Sequence, residues 1–108
     1  MRMHRKRWAL SQAELGHLLG GLSTTSVARI ELGKRTPTLP VFLRYQMIFG
    51  ASSAELAPRL YDDLEEDVLR RAAAFSIRLE GRRGGHAALK RRLLSEMIDR
   101  ASARKAAL

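Results

Sequence analysis

A chain of 108 residues, 45% of them hydrophobic, is long enough for one domain with a modest core, and its lack of cysteine excludes disulfide scaffolds, thiolate metal sites and cysteine nucleophiles. The net charge of +9 divides into two basic ends and an acidic middle: residues 1–50 carry eight Lys/Arg against two Asp/Glu, residues 51–80 four against seven, and residues 81–108 eight against two. Such ends attract phosphate polyanions or anionic lipid, or simply confer solubility; the stretch MRMHRKRWALSQAEL has no apolar run of signal-peptide or membrane-span length, so a soluble, cytoplasmic protein is expected.

Residues 2–8 are expected to form a short first helix, with Trp8 and either Met1 or Met3 facing inward. Trp8 is read as core rather than as a base-stacking platform, because it is the only tryptophan and adjoins Ala9 and Leu10. Arg5, Lys6 and Arg7 fit phosphate contacts, or merely a solvated face. So short a helix suggests that residues have been lost ahead of Met1.

Ser11 and Glu14 match a capping box and open a helix to Leu19, with Leu15, Leu18 and Leu19 as its apolar stripe. Gly16 lies on the flank, where the missing side chain admits another helix closely. Gly20 and Gly21 punctuate the chain. If Ser23 then caps the next helix, Val27 and Ile30 fall on one face while Thr25 and Arg29 lie near the middle of the opposite face. Gly33 supplies a left-handed residue that ends this helix, and Lys34, Arg35 and Pro37 follow in a basic, extended loop. Two short helices joined by a glycine-containing turn form a helix-turn-helix, and a polar helical face running into cations suggests a nucleic-acid reader.

Thr38 can cap a fourth helix through Phe49, with Pro40 tolerated in its first turn. Leu39, Phe42, Leu43, Met47 and Ile48 are expected to close the core. Ser52 and Glu55 form a second capping box before a short fifth helix, and Pro58 ends that helix or begins the next. From Pro58 to Glu80 a helical stripe runs through Leu60/Tyr61, Leu64, Val68, Ala72, Phe75 and Leu79. The acidic run Asp62 to Asp67 near its start suits the helix dipole and reads as a solvated face, with cation or protein binding as the alternative. Gly81, Gly84 and Gly85 break the pattern. A last helix from about His86 to Lys105 carries Leu89, Leu93, Met97 and Ala101, with Leu94 and Ile98 beside them. These two helices suit a hairpin against the core or an exchange between subunits, with dimerisation preferred. Arg82, Arg83, Lys90, Arg91 and Arg92 fit contacts to flanking DNA, or solubility alone.

Three segments, Ser11-Gln12-x-Glu14-Leu15-Gly16, Val27-x-x-Ile30-Glu31-x-Gly33-Lys34-Arg35-x-Pro37, and the apolar helix ending at Gly50, together resemble the phage Cro/repressor-type (XRE-like) helix-turn-helix family over roughly residues 3–60. The resemblance implies an all-α fold: a compact five-helix DNA-binding domain over residues 1–57, followed by two C-terminal helices in a 58–108 extension. It implies sequence-specific binding of double-stranded DNA, the second helix of the pair entering the major groove. By the same resemblance Gln12 contacts a phosphate and braces the reading helix. Thr24, Thr25 and Arg29 match base-reading positions, with Ser23 at the start of that helix, and Ser26, Lys34 and Arg35 match backbone contacts. Arg5 and Glu31 match a buried ion pair found in some members. The chain departs by one extra residue between Glu14 and Val27 relative to shorter members, so Gly20, Gly21 and Leu22 are expected to form a longer turn.

The residue types suit these roles. Arginine's planar fork bonds guanine O6 and N7 together, and threonine offers a hydroxyl and a methyl that suits thymine. Lys34 and Arg35 add charge that fixes docking, whereas Glu31 is structural, since a carboxylate facing DNA is repelled. His4, His17 and His86 have no metal-ligand spacing, and neither a nucleophile-base constellation nor a P-loop is present, so no enzyme, cofactor or metal is expected. A repressor acting as a homodimer is the expected function. The rival is an antitoxin or anti-activator that binds a protein partner through residues 58–108.

Overall fold

The computed structural model describes residues 1–107, which form seven helices: α1 (Arg2–Arg7), α2 (Gln12–Leu18), α3 (Thr24–Glu31), α4 (Leu39–Phe49), α5 (Ser53–Leu56), α6 (Pro58–Leu79) and α7 (Gly85–Ala106). No strand occurs among the described residues, and no helix is long and apolar enough to cross a membrane. The chain divides into two compact units, Met1–Pro58 and residue 59 onward.

Helix starts in the first unit are written in hydroxyls. Ser11 accepts the Glu14 amide at 3.0 Å while the Glu14 carboxylate accepts the Ser11 amide at 2.9 Å, a complete capping box for α2. Ser23, Thr38 and Ser52 accept amides three residues on and so cap α3, α4 and α5. Short helices with satisfied ends then need only one apolar face each. Leu15 and Leu19 from α2 and its cap, Val27 and Ile30 from α3, Val41 and Tyr45 from α4, and Ala51 and Leu56 around α5 make one buried cluster. Met1, Leu22, Phe42, Ile48 and Phe49 pack at its margin. Burial pushes the Tyr45 phenol up to about 12, with the Glu31 charge acting in the same direction.

Several expected core residues lie outside this cluster. Trp8 is 64% exposed because α1 ends at Arg7 and the left-handed Ala9 turns the chain away, while Met1 and Arg5 take the inward positions. Met3 and Leu18 are also exposed. In α4, Leu39, Leu43 and Met47 recur four residues apart on an outward side, 68%, 42% and 79% exposed. The helix carries more apolar residues than one buried face can hold, and Val41 and Tyr45 occupy that face.

The second unit is a pair of helices of 22 residues each. Ala72 and Leu79 of α6 and Leu94 of α7 are buried together, with Met97 against them, and Ala87 and Ala101 are also buried. At the turn, Arg91 Nη1 donates to the Arg82 carbonyl at 3.1 Å and to that of Leu79 at 3.4 Å. At the open end Arg104 reaches Glu65 at 2.8 Å and Asp62 at 3.0 Å, with its guanidinium 4.6 Å from the Tyr61 ring centre. Asp62 and Glu65 are thus bridged to α7 rather than simply solvated, whereas Asp67 pairs with Arg70 and Arg71 along its own helix.

Candidate nucleic-acid interface

The local fold around α3 begins with two glycines in the preceding turn. The Gly16 carbonyl accepts the amides of both Gly21 and Leu22, at 3.0 and 2.9 Å, so the turn closes onto α2. A Cβ on Gly16 would overlap the Leu22 carbonyl oxygen and press on Val27, so the close neighbour is the turn backbone as well as α3. Gly20 holds φ +98°, and the Arg44 guanidinium occupies the space its side chain would take. Arg44 Nη1 donates to the Leu19 carbonyl at 3.1 Å, so a cation from α4 sits on the carboxyl end of α2. Nothing local in the sequence points to Arg44; its role depends on a contact 25 residues away.

Three side chains anchor α3 from behind. Arg5 Nε donates to both carboxylate oxygens of Glu31, at 2.9 and 3.1 Å, and Arg5 Nη1 donates to the Leu10 carbonyl at 2.9 Å. Gln12 Nε2 donates to the same Glu31 carboxylate at 3.0 Å. The Glu31 side chain is 2% exposed and that of Arg5 11%, so the pair is enclosed. Burial alone would raise the Glu31 pKa, but the hydrogen bonds from Arg5 and Gln12 and the positive charges of Arg5 and Arg2 outweigh it, leaving the carboxyl below its ordinary range. A bracket of α1, α2 and α3 results, closed by charge-assisted hydrogen bonds that fix the roll of the helix.

With Val27 and Ile30 buried behind, Thr24, Thr25 and Arg29 are exposed in front. Leu32 is exposed there as well, at 64%. It stands one residue past the helix, seven beyond Thr25 and three beyond Arg29, which places it on the same face. That spacing was available in the sequence, although an apolar residue draws no notice on a polar face.

The end of α3 gathers the cations. Gly33, at φ +72°, lets its own amide return to the Ile30 carbonyl at 3.0 Å and that of Lys34 to the Arg29 carbonyl at 2.9 Å, the two bonds of a Schellman motif. Arg35 is drawn back with them, and its Nη1 donates to Ser26 Oγ at 2.7 Å. Ser26 in turn accepts from the Ser23 hydroxyl at 3.1 Å. Hence the basic loop folds back onto the first turn of α3 instead of trailing away from it. Of the ten residues singled out in the sequence, Arg5, Gln12 and Glu31 come together behind the helix, Ser23, Ser26 and Arg35 along one flank, and Thr24, Thr25, Arg29 and Lys34 are exposed.

Among the described residues no group of three or more His, Asp or Glu side chains converges as for a metal ion. Chemically, then, the arrangement presents a polar helix face, with hydroxyls, a guanidinium and one aliphatic side chain, flanked by two cations. Residues 2–56 match the helix-turn-helix family model HTH_3. Comparison with curated proteins and with solved structures yields no match. Family match and geometry agree, and the chain belongs to the Cro/repressor-type (XRE) helix-turn-helix family of DNA-binding transcription regulators.

Proposed function

We propose that this regulator is a repressor that recognises its operator through the exposed face of α3 in the major groove and acts as a homodimer. The observation that carries the reading is the pairing of a free front with a fixed back: Thr25, Arg29 and Leu32 are exposed on a helix whose rear is held by Val27, Ile30 and the Arg5–Glu31–Gln12 bracket. A base-reading helix needs both, since discrimination depends on donors held in register with base edges. Arg29 is assigned to a guanine, Thr24 and Thr25 to neighbouring bases, and Leu32 to a thymine methyl. Ser23, Ser26, Lys34 and Arg35 lie where phosphates would flank such a helix, and Gln12 combines the brace with a phosphate contact. Glu31, turned into the bracket, removes a carboxylate from the approaching phosphates.

Dimerisation is supported by the apolar side chains left exposed on the second unit, among them Leu64, Val68 and Leu93. A two-fold dimer would read a pseudo-palindrome with half-sites about one helical turn, ~34 Å, apart. The same exposed side chains are what an antitoxin or anti-activator would present to a different protein. Selection of bound sequences from a random duplex pool, followed by competition at physiological salt, tests the main reading. The expected result is a motif preferred over random duplex by ~10³-fold or more. Arg29→Ala should cost ~1–3 kcal/mol on that motif and relax one base position, whereas Lys34→Ala should weaken all duplexes alike. If well-folded full-length protein enriches no motif, base reading by α3 is wrong.

A further inference from the structure

The second unit carries one continuous apolar face. On α6, Leu60, Leu64, Val68 and Phe75 lie to the same side of the line buried against α7, and on α7, Leu89, Leu93 and Met97 lie to the corresponding side of the line buried against α6. Where α6 begins and α7 ends, this face opens into a groove of about 500 Å³ between the helices, walled by Leu64, Val68 and Met97 and rimmed by Arg100 and Arg104. By contrast, the fully buried interior that the two helices share holds Ala72, Leu79, Leu94 and two further alanines, with Met97 partly buried against it. Three of those five side chains are single methyl groups, too little burial to offset the ordering of two 22-residue helices.

Charge identifies the occupant and its orientation. The open half of the unit, residues 59–69 and 96–107, holds seven Asp/Glu against four Lys/Arg, a net charge of −3. In the turn half, residues 70–95, eight Lys/Arg stand against Glu80 alone, a net charge of +7. A second copy laid on the apolar face with its turn at the same end would set +7 against +7. Laid with its turn at the opposite end, it sets −3 against +7 twice. A two-fold axis crossing α6 near Arg70 then brings Phe75 of the second copy over the groove beside Leu64 and Val68.

We infer that the α6–α7 unit pairs with its own copy through the Leu64/Val68/Phe75 and Leu93/Met97 face, turns at opposite ends, to make an antiparallel four-helix bundle. The inference rests on the homodimer reading above and adds its surface and direction. In such a bundle the two alanine-rich interiors become one, Phe75 and Leu93 leave solvent together, and the burial of Met97 is completed. The acidic start of α6 meets the basic second half of the partner's α6, so the pairing is both apolar at the centre and electrostatically matched at the rim.

The test uses the full chain, whose lack of cysteine makes single labelling sites clean. Sedimentation equilibrium of unlabelled protein gives the oligomeric state. A spin label at Arg83→Cys, in the exposed turn, gives the distance between the two turns. A dimer with the labels about 33 Å apart, the length of a 22-residue helix, is the expected result. Val68→Gln, uncharged and at a half-exposed position, should weaken the dimer about tenfold with helicity retained. A dimer with labels within about 20 Å would overturn the antiparallel pairing and leave dimerisation standing. An unaltered dimerisation constant for Val68→Gln would remove the apolar face. A monomer at hundreds of micromolar would overturn this inference and the homodimer reading together.

Discussion

The two units show how differently one chain can use the same helical material. In the first, four helices begin on a hydroxyl cap, the interior draws on α2, α3, α4 and the α5 region, and the Arg5–Glu31 pair is enclosed behind α3. In the second, two longer helices share an interior of mostly alanine, α7 starts at Gly84 without a side-chain cap, and large apolar residues stay in solvent. Short helices with closed ends and several neighbours make a scaffold that can hold a side chain such as Arg29 in place. Long helices with one neighbour make a surface that still has burial to gain. The division of labour proposed above, reading in one unit and association in the other, is open to direct attack.

The largest effect is expected from Glu31→Ala. It leaves the buried Arg5 guanidinium with the Leu10 carbonyl but without its carboxylate partner, and takes the acceptor from the half-buried Gln12 amide; breaking a buried pair from one side typically costs ~3–5 kcal/mol. Urea unfolding of the first unit measures it. Acid should act in the same direction. The Glu31 carboxyl titrates below its ordinary value when folded, so its contribution is present above the ordinary carboxylate range and is lost as pH falls through the lowered folded value. A Glu31→Gln variant should show a flatter acid limb than the parent.

Next in size is a matched pair of truncations. Leu15→Ala, at a fully buried site in the first unit, should cost ~2–5 kcal/mol by transfer and cavity terms. Leu64→Ala, at a side chain 57% exposed, should change unfolding of the dissociated chain by only about 0.5 kcal/mol while weakening self-association. Unfolding followed at two protein concentrations separates the two. Equal losses at both sites, independent of concentration, would erase the distinction between a closed core and an open face.

How far the sequence foretold this depends on how local each cause is. Ser11, Ser23, Thr38 and Ser52 cap their helices through amides three residues away, so the starts of α2 to α5 could be read from neighbouring letters. The Schellman turn at Gly33 is equally local. The Arg5–Glu31 pairing spans 26 residues and entered only through family resemblance. Arg44 on the end of α2 was missed, because no periodicity says which cation will cover a distant carbonyl. Trp8, Leu39, Leu43 and Met47 have the apolar character of core residues yet lie outside the core, for a related reason. Apolar character shows that a residue gains from burial, but neighbours decide whether a place remains, and on α4 Val41 and Tyr45 had taken it. In the second unit the stripes were legible, yet which part of each stripe is shared between α6 and α7 emerged only from their packing.

A further effect, smaller than that of either buried-site truncation, concerns helix starts, where the two units differ most plainly. Ser23 Oγ accepts the Ser26 amide at 3.1 Å, and its hydroxyl also donates to Ser26 Oγ, which holds Arg35. Ser23→Ala removes the cap acceptor and should cost ~1 kcal/mol, a typical loss for such a substitution. The cost falls on the first turn of α3, which carries Thr24 and Thr25, and it also frees Ser26 and Arg35 from a shared network. Amide hydrogen exchange is therefore the sensitive probe: protection at Ser26 should fall before global stability does. The first turn of α7 has no side-chain cap to lose, so its exchange should be fast already and unchanged by the substitution. Affinity for DNA should fall modestly and more on the matched than on the scrambled duplex, because the turn that the cap orders carries Thr24 and Thr25. A Ser23→Asp variant, which keeps a cap acceptor, should restore protection at Ser26; unchanged fast exchange there would show that Ser23 does not act through the cap.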